Sequence, residues 1–209
     1  MKKSFKWIIV GISLILFSML IYFIKTNNVG FIDNYFYNLV VLGMRQDWLT
    51  PIMKVLSFVG DKYFYFIVII LFFIFDKKKK TPILMTLNVG GGALVMKVIK
   101  HFIARPRPDG FRLVAETGFS FPSGHAMNCV IFYGFIIYLI WKHVKDVKKR
   151  NIYTGLLVLL MLLIGLSRIY LGVHYATDVI GGYLFGLIYV ILFFEIVVKY
   201  FSKKRVKNE

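Results

Sequence analysis

Long apolar runs separated by short polar turns constrain the fold of this chain more than any other feature. Clear examples are Trp7 to Ile24, His125 to Trp141 and Thr177 to Val198. Each has a length close to the roughly 17–25 residues that a helix needs to cross the hydrocarbon core of a bilayer. Hydrophobic residues make up 58% of the chain, above the about 45–50% of soluble domains. The pattern predicts an all-α integral membrane bundle.

Six transmembrane helices are expected. The other three spans are predicted at Lys62 to Phe75, Pro82 to Ile99 and Ile152 to Leu166. Since Lys62 to Phe75 is too short to cross a bilayer alone, part of the segment before Gly60 must lie at membrane depth. That segment is predicted to begin a helix with Thr50 as N-cap and Pro51 at the first helical position.

The formal net charge of +17 would suggest a nucleic-acid partner in a soluble protein. Here many basic residues lie in short runs between the expected spans, such as Lys77 to Lys80. Anionic lipid headgroups and membrane topology explain such runs better, so no nucleic-acid partner is expected. The positive-inside rule places these runs and both termini in the cytoplasm.

Two polar stretches, Lys100 to His125 and Ser167 to Asp178, are basic although they fall on the opposite, extracytoplasmic side. A bound phosphate explains cations there, because arginine offers a planar fork and lysine a point charge to its oxygens. In the first stretch, Pro122 to His125 precedes a long apolar run and should form the first turn of a helix. Ser123 is predicted to cap that helix, whose free N–H groups favour an anion.

Two histidines are predicted to divide the chemistry. His174 and Asp178 are four residues apart, which on a helix places them on one face. A carboxylate that accepts from one ring nitrogen leaves the other as nucleophile. His174 is therefore expected to attack phosphorus, with Arg168 holding the transferred group and His125 protonating the leaving oxygen. No cofactor or metal is expected, because the nearby carboxylates are too few for a two-metal centre.

The order K-x6-RP, PSGH and SR-x5-H-x3-D over Lys100 to Asp178 resembles the three signature motifs of the type 2 phosphatidic acid phosphatase family. The resemblance implies a membrane phosphatase of six helices that works through a phosphohistidine without a metal ion. It implies a catalytic set of His174, His125 and Asp178. It implies a phosphate-binding set of Lys100, Arg107, Ser123, Gly124 and Arg168. Small bacterial members include phosphatidylglycerophosphate phosphatases and undecaprenyl pyrophosphate phosphatases.

The expected activity is hydrolysis of a phosphate monoester or diphosphate of a membrane lipid at the extracytoplasmic face of the cell membrane. Candidate substrates are phosphatidylglycerophosphate, phosphatidic acid and undecaprenyl pyrophosphate. A lipid phosphotransferase, a non-catalytic anion-binding membrane protein and a vanadate-dependent peroxidase are the alternatives. The motifs do not select among the lipids and predict no oligomeric state.

Three regions are expected along the chain. Residues 1–50 should hold the first transmembrane helix and an outer interfacial segment, residues 51–200 the phosphatase membrane domain, and residues 201–209 a basic cytoplasmic tail. Within the first region, Phe31 to Met44 has an apolar face and only Asp33 as an acidic residue. It is predicted to be a helix at the membrane surface, with an ordinary packed connector as an equal alternative.

Overall fold

A computed structural model describes residues 3–198, and the folded elements of this range are all helical. The eight α-helices are α1 (Lys3–Lys25), α2 (Gly30–Phe36), α3 (Leu49–Val59), α4 (Lys62–Phe75), α5 (Lys80–Ile103), α6 (Gly124–His143), α7 (Val147–Tyr170) and α8 (Ala176–Phe193). Two π-helical segments, Tyr37–Leu42 and Phe194–Val198, continue α2 and α8. The expected tail at 201–209 lies outside the described residues.

Five helices are long and apolar enough to cross a membrane, namely α1, α5, α6, α7 and α8 with its π-helical extension. Helices α3 and α4 meet at 51° across a short break and qualify as a sixth span only when they are taken together. This outcome agrees with the sequence, because the predicted bounds Lys62 and Phe75 are the observed ones and the segment before Gly60 is a helix that ends at Val59. The prediction of an all-α membrane bundle is confirmed at this level.

Helix boundaries differ from the predicted ones in small ways. Helix α3 begins at Leu49 with Trp48 as N-cap, so the predicted N-cap role of Thr50 is wrong. The Thr50 hydroxyl instead donates to the Gln46 carbonyl, 3.0 Å away. The other spans extend beyond the apolar runs by several residues at one or both ends, because backbone hydrogen bonding continues into the flanking polar residues.

The outer segment after α1 is helical from Gly30 to Leu42 rather than from Phe31 to Met44, because α2 continues directly into the π-helical Tyr37–Leu42. Its apolar side is open, with Phe31 85% exposed, as an interfacial segment requires. Asp33, however, is only 4% exposed, so its carboxylate points into the protein rather than toward water. The segment thus joins the bundle through its one acidic residue.

Helices α6 and α8 form the closest pair in the bundle, and small residues permit their approach. A β-carbon added at Gly182 would lie 2.7 Å from the Ser123 carbonyl oxygen, and one at Gly186 would lie 2.8 Å from the Met127 carbonyl oxygen. These glycines therefore serve close helix packing. Because Ser123 and Gly182 touch at the same end of both helices, this contact also brings the first turns of α6 and α8 together.

The polar motifs gather at one end of the bundle. Lys25, at the end of α1, donates to the carbonyl of Ile103 at the end of α5, 3.1 Å away. At the opposite end, Lys6 near the start of α1 pairs with Glu195 after α8. Helices α5 and α7 therefore end at the level of the motifs, and helices α4, α6 and α8 begin there.

Candidate active site

A cavity of about 200 Å³ lies between the starts of α4 and α6, the end of α5 and the turn before α8. The predicted site residues that line it are Lys100, Arg107, Gly124, His125 and His174. These residues come from all three motifs, so the fold brings together groups up to 74 positions apart in the sequence. Both histidines face the same space as the two cations.

His174 does not lie on a helix, so the predicted helical register with Asp178 is wrong. It belongs to the turn between α7 and α8, where Gly172 has a positive φ of 76°. The contact itself is confirmed, because His174 Nδ1 is 3.3 Å from Asp178 Oδ2. Asp178 is the third residue of α8, and the same oxygen accepts the backbone N–H of Tyr175 at 2.9 Å. The pair is thus built on the N-terminal turn of α8.

The contacts of the His174 ring define which nitrogen carries the proton. Nε2 is 3.2 Å from Nη1 of Arg107, and a guanidinium only donates hydrogen bonds. Nε2 must therefore be the acceptor, and the proton lies on Nδ1 and is directed at Asp178. The lone pair of Nε2 then points to the cationic side of the cavity, as a nucleophile for phosphorus requires.

Charge and burial keep this imidazole neutral. His174 is 3% exposed, and burial lowers its pKa well below the ordinary value. Nearby positive charges act in the same direction. They belong to Arg168, Lys100 and Arg107. A neutral imidazole is the reactive form, so the surroundings favour nucleophilic attack.

Arg107 and Lys100 are held in place by carbonyl groups. Arg107 is buried and donates to the carbonyls of Thr117, Gly118 and Val173, each at 3.0 Å. Lys100 Nζ donates to the carbonyl of Ser120 at 3.2 Å. The loop between α5 and α6 therefore fixes both cations before any substrate arrives.

Arg168 is connected to the site by Glu116, a residue for which the sequence predicted no role. Its guanidinium, which is almost fully buried, pairs with the Glu116 carboxylate and with the hydroxyl of Ser57. The other oxygen of Glu116 lies 3.6 Å from Arg107. Burial acts to raise the pKa of Glu116, but the charges of Arg168, His125 and Arg107 outweigh it and lower that pKa. One carboxylate thus bridges the two arginines.

Among the buried polar groups beside the cavity, two donors have no hydrogen-bond partner within residues 3–198, namely the Ser123 hydroxyl and Nε of Arg168. The predicted capping role of Ser123 is wrong at the level of its side chain, because Ser123 occupies the N-cap position but its hydroxyl makes no capping bond. Buried donors normally find a partner. An oxyanion at the start of α6 would supply one to both groups.

His125 also has an acidic neighbour that the motifs do not contain. Its Nε2 lies 3.4 Å from Oδ2 of Asp61, which stands in the break between α3 and α4 and accepts the N–H of Tyr63. Asp61, Glu116 and Asp33 are the site-end residues that sequence reasoning left without a role. Only Asp61 carried a signal, because it interrupts the apolar run before Lys62.

The donor set fits an anion better than a divalent cation. In the part of the chain that the structure describes, no three His, Cys, Asp or Glu side chains are grouped as metal ligands. Three cationic side chains line the cavity, namely Lys62, Lys100 and Arg107, against two carboxylates.

Comparison with known proteins gives one family and several full-length relatives. Residues 81–202 match the model of the PAP2 superfamily. The chain is 37% identical to phosphatidylglycerophosphatase B of Bacillus subtilis, over 87% of this chain and 88% of that protein. It is 29% identical to an undecaprenyl-diphosphatase of Sulfolobus acidocaldarius, over 89% and 88% of the two chains. The crystal structure of a transmembrane PAP2-type phosphatidylglycerolphosphate phosphatase from Bacillus subtilis superposes with a TM-score of 0.81, at 35% identity, over 93% of this chain and 96% of that one.

Proposed function

The chain belongs to the PAP2 superfamily, and on that premise we propose how this membrane lipid phosphatase works and which lipids it hydrolyses. The observation that carries the proposal is the convergence of Lys100, Arg107, His125 and His174 on one cavity, with Nε2 of His174 facing Arg107. PAP2 phosphatases are a family of metal-independent hydrolases.

Catalysis proceeds in two displacements at phosphorus. In the first, Nε2 of His174 forms a bond to phosphorus while the bond to the lipid oxygen breaks, and His125 gives its proton to that oxygen. In the second, His125 accepts a proton from water as the water oxygen attacks the phosphohistidine. Inorganic phosphate leaves, and both histidines return to their starting protonation states. Asp178 stabilises the imidazolium by accepting from Nδ1 throughout.

The cations stabilise the charge on the transferred phosphoryl group. Lys100, Arg107 and Arg168 surround the position that the Glu116 carboxylate reaches, so a phosphate there displaces Glu116 from the two arginines. The Ser123 hydroxyl and the first N–H groups of α6, at Gly124 and His125, complete the set of donors. Fixed donors of this kind supply most of the rate enhancement in phosphoryl transfer.

A lipid substrate explains the surroundings of the cavity. An apolar groove of about 460 Å³ runs between α4 and α5, lined by residues 65–73 and 83–90. Lys62 lines both the groove and the reaction cavity. A lipid whose phosphate occupies the cavity therefore lays its tail in the groove.

We place the site on the extracytoplasmic face of the cell membrane, with six spans and both termini in the cytoplasm. Support comes from the exposed basic turns around Lys78 and Lys148, which lie at the end opposite the cavity and follow the positive-inside rule. Anionic headgroups of the cytoplasmic leaflet are their partners. In this arrangement residues 1–50 supply the first span and the outer segment, residues 51–200 the phosphatase domain, and residues 201–209 the basic tail.

The relatives favour phosphatidylglycerophosphate and undecaprenyl diphosphate as substrates, with phosphatidic acid as the third candidate. Purified protein is assayed for phosphate release on the three lipids in parallel, beside His174→Ala. We expect release from at least one lipid and its loss in the variant. Release that depends on an added alcohol acceptor would indicate a phosphotransferase instead. Lipid binding without release from any of the three would indicate an anion-binding protein.

A further inference from the structure

Beneath His174, on the side away from the cavity, lies a second polar cluster made of Asp33, Arg105, Thr177 and Asp178. Arg105 donates through Nη1 to Oδ1 of Asp178 at 2.7 Å and through Nη2 to Oδ2 of Asp33 at 2.6 Å. Both carboxylates are buried, since the Asp33 side chain is 3% exposed and the Asp178 side chain is 0% exposed. Buried charges are costly unless they are paired and hydrogen-bonded, so this cluster requires an explanation.

Arg105 is not a phosphate ligand. Its Nη1 and Nη2 are both engaged by carboxylates on the side away from the cavity, and its guanidinium stacks on the ring of Tyr175 with 4.2 Å between the guanidinium carbon and the ring centroid. Burial acts to lower the pKa of Arg105, but its two carboxylate partners outweigh burial and raise that pKa. The guanidinium is therefore a permanent donor.

The cluster fixes the plane of the Asp178 carboxylate. One oxygen accepts from Arg105, while the other accepts the Tyr175 N–H and contacts Nδ1 of His174. With both oxygens engaged, the carboxylate cannot rotate, and it stays an acceptor. A fixed acceptor keeps the His174 proton on Nδ1 and the lone pair of Nε2 directed at phosphorus.

Asp33, which lies outside the three motifs, holds Thr177 and Arg105 in place. Its Oδ1 accepts the backbone N–H of Thr177 at 3.0 Å and the Thr177 hydroxyl at 2.9 Å, while Oδ2 holds Arg105. One side chain of α2 thus ties the first turn of α8 to the arginine that orients Asp178. It does so across 144 sequence positions.

On the basis of the proposed hydrolysis at His174, we infer that Asp33 and Arg105 are positioning residues that orient the His174–Asp178 pair for attack on phosphorus. This assigns a role in the reaction to the outer segment that follows α1. It also gives the two arginines of the R-P-R-P sequence different roles. Arg107 faces the substrate, whereas Arg105 contacts Asp178, the residue that orients the nucleophile.

The first test is Asp33→Asn, which keeps an oxygen for Thr177 but places an amide opposite Arg105. Because a misplaced reacting group costs up to about 10²-fold, we expect kcat to fall about 10- to 100-fold. KM should change less than about threefold, because uniform substrate binding is unaffected. Asp47→Asn is the matched control, since Asp47 is an exposed acid of the same N-terminal region and should leave kcat unchanged. Wild-type kcat in Asp33→Asn would overturn the inference.

A double-mutant cycle separates positioning from a general loss of folded protein. If Asp33 acts through Asp178, adding Asp33→Asn to Asp178→Asn should cost less than about twofold more in kcat. If the two losses multiply, the positioning role is wrong. Either result leaves the proposed hydrolysis intact, since that is tested separately by phosphate release from lipid in the wild type and its loss in His174→Ala.

A second variant, Arg105→Gln, is tested by its pH profile of kcat/KM. Partial unfolding lowers activity but does not shift the acid limb of that profile. Without this cation the negative charge of Asp178 is less compensated, so the pKa of His174 rises. The groups that face His174 are otherwise unchanged, namely Lys100, Arg107, His125, Arg168 and Asp178. The acid limb of kcat/KM should therefore move to higher pH. A profile that is lower but has the same acid limb would contradict the inference.

Discussion

The two ends of this helical bundle use the same residue types for different purposes. At the end away from the cavity, Asp76 and Asp146 accept backbone N–H groups at the starts of α5 and α7, and the lysines around them are exposed. At the site end, Asp33, Glu116 and Asp178 accept from buried arginine side chains instead. Asp76 and Asp146 thus serve the starts of helices, whereas Asp33, Glu116 and Asp178 hold the arginines of the site.

The difference shows where the chain retains charged side chains whose burial is unfavourable in free energy. Exposed charges at a helix terminus contribute little to stability and set topology. Buried charges are retained only where pairing and hydrogen bonds compensate for lost hydration. Substitutions at the two ends should therefore differ by orders of magnitude in their effect on catalysis.

The largest effect is expected from His125→Asn at the site end. Removal of the general acid should lower kcat on a lipid monophosphate by about 10²–10⁴-fold. The loss should shrink on a substrate whose leaving group needs no proton, such as p-nitrophenyl phosphate. The ratio kcat/KM on the two substrates measures this difference, because it reports the first displacement and not the later hydrolysis of the phosphohistidine, and equal losses of kcat/KM would contradict the acid role.

The next effect concerns pH. An unperturbed histidine with a pKa of about 6.5 would be about nine-tenths protonated at pH 5.5, whereas the pKa of His174 is lowered well below that value. Since the neutral form is the nucleophile, activity should persist to lower pH, and the acid limb of kcat/KM should lie below pH 6.5. Profiles corrected for ionisation of the substrate phosphate test this. An acid limb above pH 6.5 would show that His174 is not held neutral.

A smaller effect is expected at Glu116. Its carboxylate competes with phosphate for two arginines, so Glu116→Gln should tighten binding of inorganic vanadate, a transition-state mimic. The carboxylate is partly exposed, so the gain should be about two- to fivefold. Inhibition constants for vanadate in the wild-type protein and the variant measure it. Weaker inhibition in the variant would mean that Glu116 organises the arginines rather than competing for them.

The smallest effect is expected at the opposite end. Lys78→Gln and Lys148→Gln alter exposed charges far from the cavity, so kcat should stay within about twofold of wild type. Assays in detergent, where membrane orientation has no influence, make the comparison with His125→Asn direct. A large loss of kcat here would remove the distinction between the two ends.

Sequence patterns predicted the helices well because apolar runs and their polar ends are local signals. The break between Val59 and Lys62 is an example, since Gly60 and Asp61 interrupt the run where the helix turns. The contact between His174 and Asp178 was also predicted, but for the wrong reason, because a turn and a helix start can place i and i+4 together as a helix does. Local patterns describe the motifs but not their partners.

The supporting acids were beyond such patterns. Asp33 meets Arg105 across 72 positions, and Glu116 meets Arg168 across 52. A single acidic residue in a polar connector has no periodicity that indicates burial. Only the packing of α2 against α8, and of the α5–α6 loop against α7, brings these carboxylates to their arginines.

The central claim is that His174 carries the phosphoryl group between lipid and water. The stereochemical course at phosphorus tests it directly, with a lipid thiophosphate made chiral at phosphorus by sulfur and two oxygen isotopes, and with water that carries the third oxygen isotope. Two successive in-line displacements, through a phosphohistidine, predict retention of configuration. Inversion would mean that water attacks the lipid phosphate in a single step, and it would contradict the nucleophilic role of His174.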